Sequence, residues 1–232
     1  MQERLIVALD VSTARQAQAI VTAVGSPAPL FKVGKQLFAA EGPAVVRQLV
    51  AAGHKVFLDL KFHDIPNTVA AAVREAAKLQ VSMLTVHAAG GWQMLKAAAD
   101  AAAQSPARPL VLAVTVLTSI TEQELAETGV SGTIQTQVLR LASLALRAGC
   151  GGIVASPLEA RELRRELGTG FAIVTPGVRP TGDDKGDQAR VMTPRQAIEA
   201  GASHIVVGRP ITAAANPAEA TRKIYQELAA VP

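Results

Sequence analysis

The sequence predicts a closed (β/α)8 barrel, and three observations lead there. Short apolar runs recur along the 232 residues, eight of them in all. Helical stretches separate them, so successive strands must lie parallel and be joined by right-handed crossovers. No linker or compositional break interrupts the alternation, so residues 1–232 are expected to form one domain of the TIM-barrel class rather than an open doubly wound sheet.

The elements follow in order. Strands are expected at 5–9, 30–33, 56–60, 83–87, 110–117, 153–155, 172–175 and 205–207, each a compact run rich in Val, Ile and Leu. Helices are expected at 13–24, 42–52, 69–80, 91–103, 134–148, 157–167, 194–200 and 217–229, where apolar residues recur at helical spacing. Several of these stretches run into a glycine, as at Gly53, Gly149 and Gly201, a common way to end a helix.

Composition narrows the function. Hydrophobic residues make up 49% and charged residues 18%, which describes a packed globule, while 3% aromatics leaves Ala, Val, Leu and Ile to build the core. Cys150 has no second cysteine to pair with and is expected to pack as a small apolar side chain. The N-terminal residues lack the apolar core of a signal peptide, and no apolar run reaches the ~18 residues of a membrane span, so the expected compartment is the cytoplasm. The net charge of +4 is dispersed. Arg161, Arg164 and Arg165 alternate with Glu159, Glu162 and Glu166, as on a solvated helix face. With one Trp and one Tyr the chain also lacks stacking platforms for nucleic acid. A small anionic substrate suits the balance better.

The segment DLKFHDIPNT, from Asp59 to Thr68, concentrates the chemistry. Asp59 and Lys61 are two apart, so in a regular strand they share a face. Asp64 follows just before Pro66, which favours the first turn of a helix. Catalytic charges are mounted in this way on rigid scaffolds, although a structural ion pair with a capping aspartate fits the same letters. The other strand ends decide between the two. They carry Asp10, Lys32, His87, Thr118 with Ser119, Ser156, the run Thr175–Arg179, and Gly208 with Arg209. Barrel enzymes gather their chemistry at that rim and often bind phosphate after strands seven and eight, where both arginines fall. Gly177 and Gly208 allow close backbone approach, and arginine grips phosphate with two parallel hydrogen bonds.

Over nearly its whole length the sequence resembles the orotidine 5′-monophosphate decarboxylases. The resemblance rests on VALDV around Asp10, FKVG around Lys32, DLKFHDIPNTV, TVHAAGG around His87, VTVLTS ending at Ser119, TPGVRP around Arg179, GDQARVMTP around Gln188 and IVVGRPIT around Arg209. A sister group of sugar-phosphate decarboxylases and synthases shares the D-x-K-x-x-D core. The continuation through Asn67 and Thr68, with the Gln188 segment, selects the pyrimidine branch, and Lys35 is a mild departure from it.

The resemblance implies a cofactor-free and metal-free reaction in which Lys61 donates a proton to C6 of the pyrimidine. Asp59 would hold Lys61 beside the departing carboxylate, and Lys32 and Asp10 would hold the ribose. Asp64 and Thr68 would act across a homodimer interface, with Asp64 completing a row with Lys32, Asp59 and Lys61. Thr118 and Ser119 would meet the base, while Arg179, Gln188, Gly208 and Arg209 would hold the phosphate, Gln188 on a closing loop that includes 182–187.

Two rivals share these letters. One is a Mg-dependent sugar-phosphate decarboxylase or aldolase, and the other a nucleotide sensor that retained the pocket. An intact charge row argues against the sensor. Among the histidines, His63 is expected to make a structural hydrogen bond and His87 to support the row, while His54 and His204 are expected at the surface.

Overall fold

The computed structural model of the protein describes residues 4–25, 29–180 and 192–229. Eight parallel strands close in sequential order, with β8 pairing back onto β1. They are β1 (Leu5–Ala8), β2 (Leu30–Gly34), β3 (Val56–Phe62), β4 (Met83–His87), β5 (Leu110–Val114), β6 (Gly152–Val154), β7 (Ala172–Thr175) and β8 (His204–Val207). The helices described are α1 (Ala14–Val24), α2 (Lys35–Glu41), α3 (Pro43–Ala51), α4 (Pro66–Lys78), α5 (Gly91–Ala103), α6 (Glu122–Glu127), α7 (Ile134–Arg147), α8 (Ala160–Leu167), α9 (Pro194–Glu199), α10 (Arg209–Thr212) and α11 (Pro217–Ala229).

Strand alternation sorts the core into two layers. Ile6, Leu30, Phe57, Met83, Leu112, Val174 and Val206 fill the barrel interior. Their neighbours on the same strands, such as Val7, Phe31, Leu58, Leu84, Ala113, Ile173 and Val207, pack outward against the helices. Threonine hydroxyls cap four helices: Thr13, Thr121, Thr133 and Thr193 each accept the backbone N–H three residues on. Cys150 is buried in the outer layer, and burial pushes its thiol up to about 12.

Three expectations need correction. β5 ends at Val114 rather than at 117, because both neighbours end there: Val114 pairs with His87, the last residue of β4, and with Val154, the last of β6. Helices α2, α6 and α10 are additional; each is short, with too few turns to show a periodicity. His54 and His204 are half-buried rather than on the surface, His54 standing edge-on to Phe31 and His204 forming part of β8.

β6 contains a close backbone approach in the barrel wall. Gly152 is in register with Leu112 and Ala172, both of the interior layer, and a Cβ there would lie 2.5 Å from Ala172 O and 2.8 Å from Leu112 Cδ2. Gly152→Ala should therefore cost about 1–3 kcal/mol, measured as a lower urea midpoint at unchanged slope. An unaltered midpoint would mean that the wall gives way more easily than its packing indicates.

Candidate active site

Most of the expected charges converge on the C-terminal mouth of the barrel. Asp10 follows β1, Lys32 points inward from β2, and Asp59 and Lys61 lie at the end of β3. Lys32 Nζ is 2.8 Å from Asp10 Oδ1 and 3.8 Å from Asp59 Oδ2. Lys61 Nζ donates to Asp59 Oδ1 at 2.8 Å and Oδ2 at 2.9 Å. Asp10–Lys32–Asp59–Lys61 is thus a continuous chain of alternating charge. Its middle is shielded, with the side chains of Lys32 and Asp59 only 11% and 13% exposed.

The geometry of β3 departs from a regular strand. Leu58 pairs with Leu84 and Phe62 with Val86, so Asp59, Leu60 and Lys61 face Thr85 alone. Lys61 takes a positive φ of 54°. Asp59 and Lys61 therefore meet because the strand bulges, and simple alternation does not account for their contact. Thr85 is fully buried; its hydroxyl accepts the Lys61 N–H at 2.8 Å and donates to Asp59 Oδ1 at 3.0 Å. Sequence reasoning missed Thr85, whose one signal was a hydroxyl set in the apolar run Met83–His87.

A cavity of about 430 Å³ lies over this row. Asp10, Lys32, Asp59 and Lys61 line it from the ends of β1 to β3, Thr118 contributes from the segment after β5, and Gly177, Arg179, Gly208 and Arg209 come from the segments after β7 and β8. Apolar walls come from Phe57, Val114, Val154, Val174 and Val206. An anion held by the two arginines would thus share the cavity with Lys61.

Other expected residues fall elsewhere. Ser119 lies in a neighbouring cleft with Glu122 and Glu159, away from the cavity that Thr118 lines. Asp64 and Thr68 are exposed beyond the rim and do not line the cavity of their own chain. The Asp64 carboxylate accepts the N–H of Ile65, which is itself 68% exposed. Gln188 and 182–187 lie outside the described residues. Among the described residues no group of three His, Cys, Asp or Glu side chains could hold a metal ion.

A family model described as orotidine 5′-phosphate decarboxylase / HUMPS family matches residues 3–224. The chain belongs to that family. It is 51% identical over 225 residues to an orotidine 5′-phosphate decarboxylase of Idiomarina loihiensis, covering 97% of each chain. A Moorella thermoacetica protein of the same name is also 51% identical, over 98% of this chain and 92% of its own. Among solved structures, orotidine 5′-phosphate decarboxylase from Lactobacillus acidophilus superposes with a TM-score of 0.89 at 43% identity, covering 98% of this chain and 100% of that one.

Two histidines pack against each other. His63 and His87 stack at 5.3 Å between ring centroids. Burial lowers the His87 pKa below 6.5, and the nearby charges of His63, Lys35 and Lys61 push it the same way. The unfolded chain therefore takes up this proton first as pH falls, so folded stability drains away as the solution is acidified below 6.5. Between about pH 7 and pH 5.5, His87→Gln should lose less melting temperature than the parent protein. Equal losses in a thermal melt series would remove His87 as the source.

Proposed function

We propose that the protein decarboxylates orotidine 5′-monophosphate to uridine 5′-monophosphate and carbon dioxide, using its own side chains alone. One observation carries the reading. The Asp10–Lys32–Asp59–Lys61 chain and both Arg179 and Arg209 line one and the same cavity. In this reading Arg179, Arg209 and the backbone at Gly177 and Gly208 take the phosphate, with Gln188 closing over it. Asp10 and Lys32 take the ribose hydroxyls, and Thr118 meets the base. Ser119 joins it only if its loop turns inward.

The C6–carboxylate bond breaks, its electron pair stays on C6, and carbon dioxide leaves. Lys61 then passes a proton from Nζ to C6, and solvent restores the proton to the amine. Fixed charges suit this step, because they need not reorganise as the carbanion forms. Lys61 is held by both oxygens of Asp59, so its ammonium is in place beforehand. The family also includes the HUMPS branch, so the cofactor question needs its own test. Purified protein should consume orotidine 5′-monophosphate, followed as loss of its ultraviolet absorbance, at an undiminished rate in excess EDTA. Activity that disappears with EDTA and returns with Mg2+ would favour the sugar-phosphate branch instead.

We further propose that the working unit is a homodimer in which Asp64 and Thr68 serve the neighbouring cavity. Both residues are exposed and lie outside their own, and the exposed apolar side chains Ile65 (68%) and Trp92 (48%) suit a covering second copy. Lys61→Ala and Asp64→Ala should each lower kcat by about 10³-fold or more. Mixed under conditions of subunit exchange, they should regain activity, because one site of each mixed dimer is intact. Continued inactivity in every mixture would assign Asp64 to its own chain.

A further inference from the structure

A bulge leaves backbone groups without partners on the facing strand. In β3 the unpaired stretch is Asp59–Leu60–Lys61, and β4 offers only Thr85 opposite it. The Lys61 N–H needs an acceptor there, and its φ of 54° is a backbone state that a residue with a side chain keeps only when its surroundings enforce it. The Thr85 hydroxyl is that acceptor, at 2.8 Å.

The same oxygen carries one hydrogen, and it goes to Asp59 Oδ1 at 3.0 Å. Neither bond can run the other way, since an amide N–H does not accept and an ionised carboxylate does not donate. A single buried hydroxyl thus ties the lysine's backbone to the aspartate that holds its side chain. Asp59 Oδ1 is also the oxygen that Lys61 Nζ approaches at 2.8 Å, so the three groups form a closed loop.

We propose that Thr85 is a positioning residue for the reaction: its hydroxyl closes the β3 bulge and sets the orientation of Asp59 and Lys61 together. It touches no substrate in this role. The inference rests on the decarboxylase reading for its kinetic arm and on the geometry alone for its structural arm. Valine has nearly the same shape as threonine but cannot accept the Lys61 N–H or donate to Asp59. Serine keeps both bonds and loses only a methyl group.

The experiment compares Thr85→Val with Thr85→Ser in the full-length protein. Misplacing a catalytic group by about 1 Å costs on the order of 100-fold in rate, so Thr85→Val should lower kcat by about that factor. Its Kd for uridine 5′-monophosphate should stay within about threefold, because the phosphate and ribose contacts are untouched. Thr85→Ser should keep kcat within about threefold of the parent. The structural arm follows hydrogen exchange of the Lys61 amide by NMR, which should speed up about tenfold or more in Thr85→Val and not in Thr85→Ser.

If Thr85→Val does not fold, Thr85→Cys carries the same comparison, since sulfur accepts hydrogen bonds weakly. The proposal falls if the variant lacking the oxygen keeps more than half of the parent kcat, or if Thr85→Ser drops as far as it does. A parent protein inactive on orotidine 5′-monophosphate would overturn the decarboxylase reading, and amide exchange would still decide on Thr85.

Discussion

The rest of the site depends on one carboxylate held between two ammonium groups. Asp59 lies 2.8 Å from Lys61 Nζ and 3.8 Å from Lys32 Nζ, with little of its side chain in water. At such separations each attraction is worth about 4 kcal/mol at an effective dielectric near 20. Removing the carboxylate would leave two positive charges close together in a shielded mouth with no anion between them. Asp10 extends the balance at the open end, where its side chain is 59% exposed. The arrangement is costly to assemble, and it is secured by the walls around it: a filled barrel interior below, paired strands on either side, and a buried hydroxyl behind.

That division of labour follows the strand direction. Below the charged row the interior is apolar and tightly filled, with Phe57 and Met83 among its larger members. Above it, the same inward-facing positions turn polar, from Phe57 to Asp59 on β3 and from Met83 through Thr85 to His87 on β4. A side chain's height on the strand therefore sets its task, with packing at the base and chemistry at the mouth.

Much of this was legible in the sequence, because parallel strands buried on both faces must be written as unbroken apolar runs. The eight runs located the strands within a few residues, and the polar groups at their ends located Asp10, Lys32, Asp59, Lys61, Arg179 and Arg209 in one cavity. What failed was local. Val116 and Leu117 continue the apolar run of β5 past the ends of β4 and β6, and hydropathy does not record where the neighbouring strands stop. The bulge in β3 was invisible because strand reasoning assumes a period of two, and Lys61 breaks it with a left-handed backbone. Thr85 was missed for a related reason: a hydroxyl inside a strand reads as a tolerated β-branched residue until its partners are known. The place of Ser119 depended on a loop path, which no periodicity encodes.

The strand order gives the cavity an unusual dependence on time. Its charged side comes from β1 to β3 and its arginine side from the segments after β7 and β8, so its two halves are separated by most of the chain. They become neighbours only when β8 pairs with β1. Such a distant pairing needs β8, the last strand in the chain, to be in place. A growing chain can thus build the Asp59–Lys61 pair early without yet holding any nucleotide. The cavity itself is complete only once the last strand closes the ring.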